Sequence, residues 1–293
     1  MTSPVAQRHS RLRMEFGLVS AQGRRASNQD YAAFCAGPPG GPRGALAAVA
    51  DGLGGYKGGR EAAETTVRAF VDGYYGASAR FAPAQAASRA LTAVNDWIVA
   101  LGRRDSNLQN MATTFTALLF IGRQAHLVHV GDSRAYHFSG DRLEQLSVDH
   151  VAETGEAVPP LRRAIGFEPC VRIDHARVEL APGDRFLLCS DGLHGVLSAA
   201  RIAEILRNGG APREAARQLR AAALAARGAD NVTALVVDIL DAPPASLDGD
   251  GQPPPQGRAE LQARRSHDGN ALLFWRVASC VLLALLIFVL SRR

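Results

Sequence analysis

The sequence predicts an α+β domain rich in antiparallel strands, followed by a separate apolar span. Three observations carry that expectation. Short β-like runs recur at residues 14–20, 46–51, 113–121, 125–130, 134–138, 171–180, 185–189 and 232–239. Helix-period stretches at 59–70, 84–101 and 212–226, with a shorter one at 199–206, fall in groups between them. Turn markers such as Gly131-Asp132, Ser139-Gly140-Asp141 and Pro182-Gly183-Asp184 join consecutive strands tightly. Tight connections imply antiparallel pairing, and grouped helices imply layers outside the sheets.

The boundaries follow from composition. Residues 1–10 read as a disordered start and 11–240 as the folded body. Residues 241–270 are Pro/Gly-rich and polar, with a Pro-Pro-Pro-Gln-Gly run at their centre, and read as a flexible linker. Residues 271–290 carry only Arg276 and Ser279 as markedly polar members. A helix needs about 20 mostly apolar residues to cross a bilayer, so this stretch reads as a transmembrane tail anchor rather than a buried core helix. Arg276 lies close enough to one end to snorkel, with Trp275 beside it at headgroup depth. Arginines at 258, 264 and 265 precede the span, which favours a single-pass inner-membrane protein with its body in the cytoplasm. The first sixteen residues contain charges but no apolar stretch, so no secretory signal is read there.

Composition narrows the function classes. A hydrophobic fraction of 47% and a charged fraction of 21% suit a globular protein. The net charge of +5 could suggest nucleic acid, but Lys57 is the only lysine among 33 basic residues, and the arginines are scattered through an alanine-rich background. No basic run with interleaved aromatics occurs, so no nucleic-acid partner is expected. Cys35, Cys170, Cys189 and Cys280 form no C-x-x-C pair, which argues against a zinc knuckle or a disulfide framework.

The chemistry lies in the aspartates. Asp51-Gly52, Asp132, Asp191-Gly192 and Asp230 fall at predicted strand ends. An Asp-Gly pair alone is usually a turn. Here apolar runs 47–50 and 186–189 deliver Asp51 and Asp191 straight from the interior. Carboxylates held together this way repel unless a cation joins them, and hard oxygen ligands select Mg²⁺ or Mn²⁺. Such ions can activate water and neutralise phosphate oxygens.

Eight segments in order then carry a resemblance. They are R-x-x-N-Q-D at 25–30, A-D-G-L-G-G at 50–55, M-A-T-T at 111–114 and V-G-D-S-R-x-Y at 130–136. L-S-V-D-H at 146–150, L-R-R-A-I-G at 161–166, L-L-C-S-D-G-L at 187–193 and G-A-D-N-V-T at 228–233 complete the set. Together they closely resemble the metal-dependent PPM protein phosphatases of the 2C type, especially compact bacterial members. The resemblance implies a four-layer α-β-β-α sandwich of two mainly antiparallel sheets with a two-metal site at one end. By motif, Asp51 bridges the two ions, the Gly52 carbonyl binds the second, and Asp191 and Asp230 hold the first. Arg25 binds the substrate phosphate, Asp30 acts at the metal site, and Asp132 helps hold a third, weaker ion. The implied reaction is direct attack of metal-bound hydroxide on phosphoserine or phosphothreonine, without a phosphoenzyme. The implied partners are phosphorylated proteins and a cognate bacterial Ser/Thr kinase at the membrane.

Departures from the pattern matter too. Gln29 stands where many relatives carry glutamate. Leu53 and Tyr56 stand where many carry a histidine that serves as general acid, so proton delivery is expected from Tyr56, Lys57 or water. His150 is expected to make a structural hydrogen bond, and of His126 and His129 one should face inward. Arg134 and Arg162 are expected to organise loops. The segment between Asp149 and Leu161 is short, which implies an open cleft. A catalytically inactive relative serving as a phosphoprotein-binding or scaffolding module is the alternative, and hydrolysis of a small phosphate ester is a third reading.

Overall fold

The computed structural model describes residues 12–243 except 39–40, 54, 106–107, 109, 155–158 and 227, and the side chains of residues 55–57 are also outside that set. The expected disordered start at 1–10, the linker beyond Pro243, the apolar span 271–290 and the side chains of Tyr56 and Lys57 therefore lie outside the described residues. Among the described residues no helix is long and apolar enough to cross a membrane.

Twelve strands and five helices make up the described body. One sheet orders β1 (Arg13–Ala21), β12 (Val232–Asp241), β11 (Arg185–Cys189), β8 (Arg134–Ser139) and β9 (Arg142–Gln145). The other orders β10 (Asp174–Glu179), β7 (Gln124–Val130), β6 (Phe115–Ile121), β3 (Ala45–Ala50) and β2 (Tyr31–Cys35). Every pairing within both sheets is antiparallel, and a short ladder of β4 (Gly52–Leu53) with β5 (Ala112–Thr113) adjoins them.

The two-residue period of the strands sorts side chains into layers. Ala45, Ala47 and Val49 of β3 join Leu118 and Phe120 of β6 in packing against Phe186, Leu188, Leu235 and Val237 of the opposite sheet. The intervening Leu46, Ala48 and Ala50 turn outward, onto α1 (Gly55–Gly76) and α2 (Pro83–Arg104) through Val67, Phe70 and Leu91. On the far side, Leu187, Val232, Ala234 and Val236 meet α4 (Ala199–Asn208) and α5 (Pro212–Ala225) through Ile202, Leu206 and Leu219. The layers run α-β-β-α, as the motif resemblance implied. β3 is buried along its whole length, and its small alanines let helices and sheet approach it from both sides.

Helix starts follow local chemistry. Pro83 and Pro212 open α2 and α5, where the missing N–H removes a donor that would lack a partner anyway. Ser198 caps α4 by accepting from the Arg201 amide.

Three predicted elements differ from the observed ones. The run 113–121 is broken at Thr114 into β5 and β6, because the Thr114 amide donates to the Asp51 carbonyl instead of continuing a ladder. The helix expected at 59–70 starts at Gly55 and extends to Gly76 despite its glycines, since its Phe70–Tyr74 face is fully buried. The strand expected at 171–180 is confined to Asp174–Glu179, the part that pairs with β7.

At Gly17 in β1 the backbone of α5 passes directly against the sheet. A Cβ built there would lie 2.2 Å from the Arg213 Cα, backbone that cannot swing aside. Gly17→Ala is expected to lower stability by about 1–3 kcal/mol, as overpacking does elsewhere. Gly76→Ala, with nothing within 4 Å of the added carbon, is expected to stay within about 0.5 kcal/mol. Urea-unfolding midpoints of the two variants check the contrast.

Candidate metal centre

Antiparallel register brings the predicted aspartates to one end of the sandwich. In one sheet Tyr31 pairs with Ala50 and Phe115 with Val130, so Asp30, Asp51 and the Gly131–Asp132 corner leave their strands at the same edge. In the other, Cys189 pairs with Arg134 and Ala21 with Val232, placing Asp191, Asp230 and the loop bearing Arg25 at the corresponding edge. The Ser190 hydroxyl donates to Asp30 Oδ2 at 2.7 Å and ties the two sheets together there.

Each acid is held by different local means. Asp51 is fixed through its backbone: its amide donates to Thr114 Oγ1 at 2.9 Å, and its carbonyl accepts from the Thr113 hydroxyl at 2.8 Å and the Thr114 amide at 2.9 Å. Asp30 is 3% exposed; Ser190 and Thr233 hydroxyls reach its carboxylate, yet Oδ1 finds no hydrogen-bond partner among the described residues. Asp191 opens the short helix α3 (Asp191–His194), and its buried Oδ1 is likewise unpartnered. Asp230 Oδ1 accepts from the Asn231 amide at 2.8 Å, and Oδ2 accepts from Arg25 Nη2 at 2.6 Å.

The Asp-Gly pairs are not the turns that sequence alone suggests. Gly52 lies in β4, where a Cβ would sit 2.0 Å from the Gly59 carbonyl oxygen. Gly192 lies in α3, where a Cβ would sit 1.9 Å from the Asn231 carbonyl oxygen. Glycine is required at both because another backbone passes there. That contact presses the Asp191 and Asp230 corners together.

The electrostatics are those of crowded carboxylates. Burial lifts the Asp30 carboxyl to about 6; the Thr233 and Ser190 hydroxyls pull it back, and Asp191 and Asp230 push it up again. Burial, then Asp191 and Asp149, lifts Asp132 to about 7. Burial, reinforced by Asp30 and Asp191, holds Asp51 well above the usual carboxylate range, and the Asp51 and Asp191 carboxyls lie within hydrogen-bonding reach of each other. Two acceptors that close, with buried oxygens lacking donors, fit a divalent cation bound through oxygen. Among the described residues, however, no three acidic or imidazole side chains already converge on one point at coordinating distance. Asp230 is turned to Arg25, and Arg25 meets that carboxylate rather than standing free for a phosphate.

The other predicted residues fall into place around this end. His150 accepts from the Gly131 amide at 3.0 Å through Nδ1 and donates from Nε2 to Asp174 at 3.0 Å, the structural role expected of it. His129 faces inward and is fully buried, while His126 is half-buried. Arg134 grips Asp149 with Nε and Nη2, organising the 146–150 loop. Arg162 is exposed, and it is Arg163 that pairs with Asp174, at 3.0 Å.

Sequence reading passed over several residues. His194 contacts the Asp132 carbonyl through Nε2 at 2.9 Å, and Asn231 ties the Arg25 loop to the Asp230 corner. Ser190, Thr233, Thr113 and Thr114 are fully buried hydroxyls beside the acids. Their signal was present: a hydroxyl inside an apolar run needs a partner, and the nearest unpaired groups are those carboxylates.

A family model for protein phosphatase 2C matches residues 19–236. The chain is 35% identical over 216 residues to the serine/threonine protein phosphatase PstP of Mycobacterium tuberculosis, a match covering 67% of this chain and 40% of that protein. It is 32% identical over 208 residues to the serine/threonine phosphatase stp of Listeria innocua, covering 65% of this chain and 82% of that one. The solved catalytic domain of PstP in complex with two manganese ions superposes with a TM-score of 0.67 at 33% identity, covering 78% of this chain and 99% of that one. The match thus spans less than half the length of the full mycobacterial protein.

A carboxyl whose folded pKa is raised binds more protons folded than unfolded, so its contribution to stability falls as pH rises through the folded value. The metal-free protein is therefore expected to lose melting temperature from about pH 4 to about pH 7, the window between the ordinary carboxylate value of 3.8 and Asp30 at about 6 and Asp132 at about 7. Added Mn²⁺ should raise the melting temperature more at pH 8 than at pH 5.5. Asp191→Asn should raise the metal-free melting temperature at pH 8 and abolish the Mn²⁺ increment, a contrast that differential scanning fluorimetry reads directly.

Proposed function

The chain belongs to the protein phosphatase 2C family, and from that premise we propose that it hydrolyses phosphoserine and phosphothreonine in proteins with the help of two divalent cations, Mn²⁺ or Mg²⁺. The observation that carries this reading is the meeting of Asp51 and Asp191 from opposite sheets, with buried Asp30 and Asp191 oxygens that find no partner among the described residues. Asp51, the Gly52 carbonyl, Asp191 and Asp230 hold the pair of ions. Asp30 and Asp132 flank it, Asp132 toward a third, weaker ion. When bound, the cations supply Lewis-acid charge to phosphoryl oxygens and acidify water.

The remaining roles belong to the chain's own side chains. Arg25, whose side chain is 60% exposed, turns from Asp230 to the incoming phosphate, where its planar fork meets two oxygens at once. Thr113 and Thr114 keep Asp51 from retreating, and Ser190 and Thr233 orient Asp30. His194 is committed to the Asp132 carbonyl, so proton delivery to the departing serine or threonine oxygen falls to Tyr56, Lys57 or water.

In the presence of Mn²⁺ the full chain is expected to hydrolyse p-nitrophenyl phosphate and a phosphoserine peptide. Asp191→Ala should cut both rates at least about a hundredfold. A folded protein that binds phosphopeptide but turns over neither substrate would favour the inactive binding module. Selective turnover of small esters over the peptide would favour the third reading.

The same proposal extends to location: the apolar span 271–290 tethers the enzyme to the inner face of a membrane, where it opposes a Ser/Thr kinase on membrane-associated phosphoproteins. Support comes from the length of that span, its flanking arginines and the polar linker before it. Tethering raises the effective concentration of substrates on the same surface. A chain truncated after residue 270 is expected to leave the membrane fraction while keeping its activity on p-nitrophenyl phosphate. Retention of the truncated chain on carbonate-washed membranes would refute the tether.

A further inference from the structure

Asn231 stands next to a proposed metal ligand, but its side chain faces the other way, into the loop that carries Arg25. Its Oδ1 accepts from the Gln29 amide at 2.8 Å. Its Nδ2 donates to the Gln22 carbonyl at 2.7 Å and to the Ser27 carbonyl at 2.9 Å. One N–H meets the oxygen and two carbonyls meet the nitrogen, so only this orientation of the amide satisfies all three. The residue is 4% exposed, and each contact bridges about two hundred residues of sequence. Both ends of the 22–29 loop are thereby fixed to a single side chain. The turn at Gly23, with φ of 61°, brings the loop so close that a Cβ there would lie 2.0 Å from the Asp230 carbonyl oxygen.

We propose that Asn231 is the positioning residue for phosphate recognition: it sets where the Arg25 guanidinium stands relative to the acidic cluster. This rests on the phosphatase reading for the identity of Arg25's ligand. The chemistry is specific. The loop offers Asn231 only backbone groups, so alanine would leave two carbonyls and one N–H of the loop without these partners. Among the described residues the Arg25 side chain meets only Asp230, in an exposed pair, while its carbonyl accepts from Gln22 within the loop. Asn28 gives the loop two further tethers, from its Nδ2 to Ser20 Oγ at 2.8 Å and from its carbonyl, which accepts from Arg60 Nη1 at 2.9 Å.

The test uses the full chain loaded with Mn²⁺ and inorganic phosphate as the probe, read by calorimetry. Arg25→Ala and Asn231→Ala are each expected to weaken phosphate binding about tenfold or more, since small displacements of a positioning group carry losses of that order. The double variant should bind no more weakly than Arg25→Ala alone, and the Mn²⁺ affinity of Asn231→Ala should match that of wild type. Losses that multiply in the double variant, or a parallel fall in Mn²⁺ affinity, would overturn the proposal and leave Asn231 as support for the metal corner. Hydrogen exchange at the Gln29 amide reads the loop independently of any phosphate. Faster exchange in Asn231→Ala is expected, and unchanged exchange overturns the proposal even if the phosphatase reading itself has failed. Should Asn231→Ala not fold, Asn231→Ser and Asn28→Ala pass through the same cycle with Arg25→Ala, and multiplying losses there overturn it as well.

Discussion

Repulsion among carboxylates at one end of the sandwich is the constraint on which the rest of the structure depends. Burial raises the proton affinity of Asp30, Asp51 and Asp132, and the neighbouring charge of Asp191 raises each of them further. Two unit charges about 4 Å apart repel by roughly 4 kcal/mol at an effective dielectric of 20, comparable to a large share of a domain's net stability. Side chains on free loops would simply separate. These cannot, because each acid leaves a strand or helix whose other residues are packed into one of three apolar layers. The cores do more than stabilise the domain; they hold charge where charge alone would not stay.

Buried hydroxyls and glycines do the finer holding. Thr113 and Thr114 satisfy the backbone of Asp51 rather than its carboxylate, leaving the carboxylate oxygens for a ligand. Ser190 plays two parts at once: its Oγ accepts from the Thr233 amide and donates to Asp30. The glycines after Asp51 and Asp191 act by absence, since a methyl group at either would strike a carbonyl oxygen. The recurrent Asp-Gly pair is therefore one solution used twice: an acid aimed at the site, followed by a residue that lets a second backbone close behind it.

Much of this was legible in the sequence. The apolar runs leading into Asp51 and Asp191 marked them as ends of buried strands, and the grouping of helices between strand runs gave the layers. The pairing of Asp230 with Arg25 was not legible, because 205 residues separate them and only the β1–β12 register brings them together. Asn231 was hidden for the same reason: beside an aspartate it reads as a turn residue, and its partners are backbone groups with no sequence signature. The break at Thr114 escaped because β-branched residues favour continuing a strand, and nothing local reveals that its amide is claimed by Asp51.

The adjacent pair Asp230–Asn231 joins two tasks that could have been placed far apart. Asp230 faces the acidic cluster, while Asn231 faces the loop that presents Arg25, and one peptide bond connects them. The side chains divide the work that the backbone joins: the Asn231 amide bonds only to the loop, so the loop can be held without a direct hold on the Asp230 carboxylate. The ion pair between Arg25 and Asp230 fits that arrangement. Its members are 60% and 34% exposed, and pairs of that kind contribute only about 0–1 kcal/mol. Releasing Arg25 to a phosphate therefore costs little, while Asn231 keeps the loop from wandering once the pair is broken. The strong restraint is on the backbone and the weak one on the side chain that has to move.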